Sequence, residues 1–415
     1  MKILQINKYH YIKGGAETVF FNTTNLLKEN GHDVSCFCLK NKNNIPSKDE
    51  SYFVDYPEIA DAKLIQKLIN LPSFFYNKQA AHKLEQLIFD KKPDIAHIHL
   101  LFNSLSVAIL PILKKYHIPT VMTVHDYRLI CPAYLLLDRE KRICEQCKNK
   151  HYFNCALKRC HDGELLPSIM LSLDMYFRNL FFPLNDFIDK FIFVSDFAFG
   201  KHISFDAKYQ EKGTRLYNFI PGKATSKPKE RKGDYLLFYG RMSREKGIET
   251  LIKAMQGIDF QLKVIGTGSL AKKYKDARFQ NIEFLGFKTG EELENCIKDA
   301  FYVIVPSECN ETFGLTAVEP QRYGVPVIGA NIGAIPELIV ENKNGYLFES
   351  GNVSSLRKVI EKAIQISDSE YWQMSEYVKT FVEKNFNSDN HLQRLMGIYE
   401  ECIALNQQKK NTHPF

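Results

Sequence analysis

Two carboxylates, Glu311 and Glu319, stand eight residues apart in the run SECNETFGLTAVEPQRYGVPVIGA. The block before them, FYVIVP (Phe301–Pro306), is short, apolar and β-rich, so it reads as a buried strand, and the polar stretch Ser307–Thr312 reads as a turn. A helix is then expected from about Phe313 to Gly324, where the glycine supplies a cap. The first-turn amides of such a helix, those of Phe313, Gly314 and Leu315, favour an anion, typically a phosphate. Glu319 lies roughly 12 Å from Glu311 along a helix axis. The pair can therefore meet opposite ends of one elongated ligand, while the plainer reading is a solvated helix face.

Matching chemistry stands upstream. DYLLFYGRMSREKG (Asp234–Gly247) reads as a strand, a glycine turn and a helix entered through Arg244, Glu245 and Lys246. Arg241 and Lys246 then fall at the C-terminal edge of a strand, where open α/β sheets bind ligands. A planar guanidinium fork beside a compact ammonium suits a diphosphate; the bland alternative is two surface cations. Gly14 and Gly15 likewise follow the first strand and precede a helix, where a missing side chain lets backbone approach a ligand or simply makes a turn. His125 ends the strand Thr120–Val124. His97 and His99 sit on or beside a buried strand and read as structural, with His99 near a cleft rim.

The elements that must hold these groups alternate between strand and helix periods. Met1–Ile6, Val34–Leu39, Ile95–His99, Thr120–Val124 and Phe191–Val194 read as strands, with helices such as Ala16–Asn30 between them. At 415 residues the chain exceeds what one core usually serves. Two doubly wound domains are expected, 1–220 and 221–387, divided near the polar stretch Ile220–Lys232, with a last helix and polar tail in 388–415. Hydrophobic content of 45% and charged content of 25% are ordinary for a globular chain. MKILQIN opens as a strand, so no secretion signal is expected, and no run of 18 apolar residues appears. Residues 1–220 carry 29 Lys and Arg against 23 Asp and Glu, the remainder 26 against 25. The excess lies in the first half and suits an anionic acceptor or an anionic membrane surface. No basic stripe of a nucleic-acid-binding type is present.

The order of these residues resembles glycosyltransferase family 4, the retaining sugar transferases of the GT-B fold, over nearly the whole chain. The resemblance rests on KGGAE (Lys13–Glu17), PDIAHIH (Pro93–His99), TVHD (Thr123–Asp126), FVSDF (Phe193–Phe197), YNFI (Tyr217–Ile220), GRMSREKG, VIGTG (Val264–Gly268), FLGF (Phe284–Phe287) and the Glu311/Glu319 run. It implies two Rossmann-like domains facing across a cleft, the first on the acceptor side and the second binding a UDP- or GDP-sugar. The last helix, about Ser388–Leu405, would cross back to the first domain. The catalytic residues it implies are His125, Arg241, Lys246 and Glu311. Donor binding would fall to Gly14, Gly15, Phe287, Phe313, Gly314, Leu315, Thr316 and Glu319, with Glu17 meeting acceptor or sugar. The family lacks a carboxylate placed for double displacement. It implies instead that the leaving diphosphate helps deprotonate the acceptor hydroxyl on the same face, its charge stabilised by the protein's cations and needing no catalytic metal. The acceptor would be a saccharide or lipid-linked saccharide, placing the chain in the cytoplasm, peripheral at the inner membrane face. One departure is Pro320, directly after Glu319, which should kink a helix there.

Five of the ten cysteines gather at Cys131, Cys144, Cys147, Cys155 and Cys160. The spacing from Cys144 to Cys160 resembles a four-thiolate zinc knuckle, with His151 and His161 as alternative ligands, in an insertion spanning 131–161. Free thiols and disulfides are the other readings. The segments Leu71–Ile88 and Met175–Phe193 mix aromatic, leucine and basic residues, and serve either a core or a lipid interface. Two other functions stay open on sequence alone: a nucleotide-sugar epimerase on the same fold, and a zinc-dependent binding module on an inactive transferase core.

Overall fold

The computed structural model describes residues 1–55, 72–222, 231–274 and 279–412. Residues 223–230 of the expected linker and Leu71 of the first aromatic segment lie outside them.

The first domain runs β1 (Lys2–Ile6), α1 (Gly15–Glu29), β2 (Asp33–Phe37), α2 (Lys78–Lys91), β3 (Ile95–Ile98), α3 (Ile109–Lys115), β4 (Thr120–Val124), α4 (Phe153–Lys158), α5 (Leu165–Phe181), β5 (Lys190–Phe193), α6 (Asp196–Phe205), α7 (Lys208–Lys212) and β6 (Gly213–Arg215). Its strands pair in parallel in the order β2-β1-β3-β4-β5-β6. Every residue of β3 and β4 is buried, as befits strands covered by helices on both faces.

The second domain runs β7 (Tyr235–Tyr239), α8 (Ile248–Met255), β8 (Gln261–Ile265), α9 (Ala271–Tyr274), β9 (Ile282–Gly286), α10 (Gly290–Lys298), β10 (Tyr302–Val305), α11 (Leu315–Val318), β11 (Val327–Ala330), α12 (Ile335–Leu338), β12 (Gly345–Phe348), α13 (Val353–Ile364) and α14 (Asp368–Asn385). Its parallel order is β12-β11-β10-β7-β8-β9. The final helix, α15 (Ser388–Thr412), returns to the first sheet, burying Leu395, Tyr399 and Cys402 against Ile3, Ile95, Val121 and Ile192.

One expected element is different. In place of a helix over Phe313–Gly324, α11 covers only Leu315–Val318, and Glu319–Tyr323 tighten into a 3₁₀ turn that ends on Gly324 at φ 76°. Pro320 has no N–H to give the Thr316 carbonyl, so the four-residue bonding pattern cannot pass this point.

Candidate active site

β7 delivers the Gly240–Ser243 loop and a 3₁₀ turn over Arg244–Lys246. Gly247 closes that turn at φ 67°, and a Cβ there would stand 1.7 Å from the Pro306 carbonyl oxygen. Only glycine lets the turn press onto the end of β10. The result is a charged knot: Lys246 Nζ donates to Glu311 Oε1 at 2.5 Å, and Ser307 Oγ donates to the same oxygen at 2.6 Å. Burial disfavours the Glu311 carboxylate, but Lys246, Ser307 and Arg241 outweigh it and hold its pKa below the ordinary range. Burial likewise opposes charge on Lys246, and Glu311 reverses the balance upward. Arg241 flanks the pair with its side chain 55% exposed, lightly tied to Glu245 at 3.4 Å, while Glu245 accepts from Ser243 Oγ. A cation open to solvent beside a half-buried cation is what an incoming diphosphate requires.

Glu319 faces different surroundings. It accepts from Tyr239 OH at 2.9 Å, and burial drives its pKa up against that bond. Gly314, ahead of α11, holds φ 108°, and a Cβ there would approach Ile335 Cδ1 to 2.6 Å. A helix of four residues carries little macrodipole. The amides of the 313–316 stretch, rather than a helix field, are therefore what an anion would meet. The Phe313 ring is core, packed between Tyr217 and Phe386 with centroids 5.9 Å from each. Phe287, past the end of β9, is 71% exposed, a free aromatic face.

The first domain supplies the opposite wall. A Cβ on Gly15 would lie 3.5 Å from Leu315 Cδ1, so the glycine loop touches the second domain. Gly14 precedes it in extended backbone, and a Cβ there would meet Glu17 Oε2 at 3.7 Å. Glu17 is buried, and burial raises its pKa against the pull of Lys13. His125 sits at the end of β4, where Thr312 Oγ1 donates to its carbonyl at 2.8 Å and Ser195 Oγ donates to the Thr312 carbonyl at 2.6 Å. Burial pushes the His125 pKa down to about 3, so its ring is neutral. His99 is not at the rim: it is buried beneath His125, with Nδ1 2.9 Å from His125 Nε2.

The structure thus gathers Lys246, Arg241 and Glu311 at one point, sets Glu319 on the same loop system, and brings Gly15 and His125 to face them. Sequence reasoning missed Ser307, Tyr239, Ser195, Thr312 and Ala334, whose N–H donates to the Glu311 carbonyl at 2.9 Å. Tyr239, Ser195, Ser307 and Thr312 did lie inside quoted motifs, but Tyr239 meets Glu319 and Ser195 meets Thr312 only through the fold.

The cysteine segment packs into the first core through Cys131, Cys147 and Cys155. All ten cysteines are free thiols. The four-thiolate set expected at Cys144, Cys147, Cys155 and Cys160 is not preformed: among the described residues no group of three or more His, Cys, Asp or Glu is arranged to hold a metal ion. Cys144 Sγ lies 4.0 Å from Lys158 Nζ.

Comparison with known proteins gives two family matches. A profile described as Glycosyltransferase Family 4 matches residues 13–156, and one described as Glycosyl transferases group 1 matches residues 223–381. An uncharacterized 42.6 kDa protein in the cps region of Klebsiella pneumoniae is 25% identical over 96% of this chain and 100% of its own length. The lipopolysaccharide 1,2-N-acetylglucosaminetransferase of Salmonella typhimurium is 28% identical over 38% of this chain and 46% of its own. The chain spans about half the length of the first curated relatives it matches, 49% and 45%. Among solved structures, Anabaena HepE in complex with UDP and glucose superposes with a TM-score of 0.68 at 16% identity, over 97% of this chain and 100% of that one. At that identity the likeness speaks to the fold.

Proposed function

From the premise that the chain belongs to glycosyltransferase family 4, with two Rossmann-like domains in the GT-B arrangement, we propose that it moves a sugar, with retention, from a nucleotide-sugar donor to a hydroxyl of a saccharide or lipid-linked saccharide, as a step in building a cell-surface polysaccharide. The observation that carries this reading is the Lys246–Glu311–Ser307 knot with Arg241 open beside it, facing the Gly14–Gly15 loop. Lys246 and Arg241 neutralise the diphosphate as it leaves, a preorganised electrostatic effect. Glu311, held ionised, accepts from donor hydroxyls. Glu319 accepts from the ribose, and Phe287 offers a face to the base. The departing phosphate oxygen takes the proton of the acceptor hydroxyl on the face where the new bond forms.

Thermal unfolding with UDP, GDP, ADP and their sugar conjugates tests the donor site. A ligand at 100 times its dissociation constant adds about 2.7 kcal/mol, a shift of several degrees. A shift with one base, lost in Arg241→Ala, supports the reading; none with any nucleotide sinks it. The anomeric configuration of the product, read by NMR, tests retention.

The exposed face of α5 supports a membrane partner. Leu166, Leu173, Leu180 and Phe181 are 67%, 52%, 72% and 61% exposed along one helix. Its charged side chains, Asp174 and Arg178, are buried and paired at 2.9 Å, so the outer face is uncharged. The preceding stretch, residues 146–161, contains Lys148, Lys150, Lys158 and Arg159 and no acid. Asp162 and Glu164 stand between that stretch and the helix, and an uncharged apolar stripe on a helix suits a lipid surface. Among the described residues no helix is long and apolar enough to cross a membrane. Flotation with anionic liposomes, lost in Leu173→Glu/Leu180→Glu but not in Phe89→Ser, supports this partner; equal flotation of all three proteins removes it.

The structural zinc remains a proposal of the cysteine spacing alone. About one zinc per purified chain, with Cys147→Ser misfolding, would support it; no zinc and a normally folded variant would remove it.

A further inference from the structure

Behind His125 runs a chain of buried polar side chains across three adjacent strands. Gln5 on β1, His97 and His99 on or just after β3, and Thr123 on β4 are all buried, and Tyr399 enters from α15. His125 Nε2 lies 2.9 Å from His99 Nδ1, and His99 Nε2 lies 2.9 Å from Gln5 Oε1. The Gln5 amide nitrogen faces Tyr399 OH at 3.4 Å, that hydroxyl is 2.7 Å from His97 Nδ1, and His97 Nε2 is 2.7 Å from Thr123 Oγ1.

A neutral imidazole has one donor and one acceptor nitrogen, so each bond in such a chain fixes the next. Gln5 Oε1 can only accept, which puts the His99 proton on Nε2. His99 Nδ1 must then accept, which puts the His125 proton on Nε2. At the other end the Gln5 amide donates to Tyr399 OH, the phenol donates to His97 Nδ1, and His97 Nε2–H donates to Thr123 Oγ1. Each ring N–H is used once, the Gln5 amide nitrogen also lies 3.5 Å from the accepting His97 Nδ1, and all three rings take the Nε2–H form that neutral histidine side chains intrinsically prefer. His125 Nδ1 has no partner among the described residues and is not one of the buried orphan polar atoms, so it meets the solvent of the cleft.

We propose that Gln5 and His99 are positioning residues that lock His125 as its Nε2–H tautomer, presenting Nδ1 to the cleft solely as a hydrogen-bond acceptor, so that the wall of the site recognises a hydroxyl donor. That the hydroxyl belongs to the donor sugar rests on the transferase reading; the tautomer does not. A ring kept neutral down to about pH 3 is a weak base. Its part is to orient a hydroxyl, not to take its proton. Burial also holds His97 and His99 neutral, so the chain keeps its sense over the working range of pH.

The test uses the full chain labelled with ¹⁵N-histidine and a long-range proton–nitrogen correlation at neutral pH, with His125→Gln identifying the ring. The expected wild-type signal is a pyridine-type Nδ1 and a pyrrole-type Nε2. Gln5→Met, which removes the acceptor behind His99, is expected to lose that single form and to lower kcat while the donor's KM holds. Tyr399→Phe, which leaves the Gln5–His99 bond in place, keeps it. An Nδ1–H ring in the wild type, as the Gln5 amide turned over would give, overturns the proposal, as does a His125 signal unchanged in Gln5→Met. The wild-type spectrum decides the tautomer even if Gln5→Met does not fold, and it does so whatever the chain transfers.

Discussion

Glu311 and Glu319, which look equivalent in the sequence, are set to opposite uses by their neighbours. Glu311 has a folded pKa below its ordinary value of 4.5, so its stabilising contribution is full above that value and is lost as pH falls through the depressed one. Glu319 has a folded pKa above 4.5, so its carboxyl stabilises the chain when protonated and becomes a cost as pH rises through that raised value. Glu311→Gln should therefore lower the neutral-pH stability of the free protein by about 1–3 kcal/mol, as a broken charged hydrogen bond does, seen as a lower unfolding temperature whose deficit vanishes in acid. Glu319→Gln should raise that temperature at neutral pH, lose its advantage in acid, and still weaken nucleotide binding. Unfolding curves of the three proteins from pH 7 to pH 3.5 check both signs; parallel curves would refute the split. The placement of Arg241, Lys246 and Glu311 in the loops that follow β7 and β10 was legible because an apolar strand run precedes each motif. Their tuning was not, because Lys246 meets Glu311 across 65 residues and Tyr239 meets Glu319 across 80, contacts that only the fold creates.

Among the elements, β-strands were the most readable: five first-domain strands were expected, and all five are present with ends within two residues. Their uninterrupted apolar runs are what a sheet covered on both faces demands. The helix after Thr312 was misread because the amphipathic pattern continues through Pro320 while the backbone bonding cannot. Gly247 shows how strictly one turn is held. Gly247→Ala must place a Cβ in left-handed backbone, costing about 1–2 kcal/mol, and against the Pro306 carbonyl besides. We expect it to destabilise the second domain and to abolish nucleotide binding, because Lys246 can no longer reach Glu311; a variant that unfolds and binds UDP like wild type would contradict this. Leu395 reports on α15 instead. Its side chain is buried against the first sheet, so Leu395→Ala should cost about 2–5 kcal/mol, seen as early proteolysis of residues 388–412.

Across the whole molecule, the two domains are tied at one edge of the cleft by few but well-formed bonds. Glu337, at α12, accepts from the amides of Asp196 and Phe197 at 2.9 and 2.6 Å and from Tyr217 OH at 3.0 Å. Those amides open α6, so a carboxylate from one domain caps a helix of the other and meets its positive end. Thr312 and Ser195 add the hydroxyl bonds beside His125. The proposed transfer requires admitting a donor and an acceptor and then excluding water, and a latch that is polar, small and next to that site is well suited to opening and closing. Glu337 touches no proposed donor group, which separates its effect from binding. Glu337→Ala should leave the nucleotide dissociation constant nearly unchanged, lower kcat, and enlarge the radius of gyration of the free chain in small-angle scattering. A variant as compact and as fast as wild type would show that the domains are held by their apolar contacts alone.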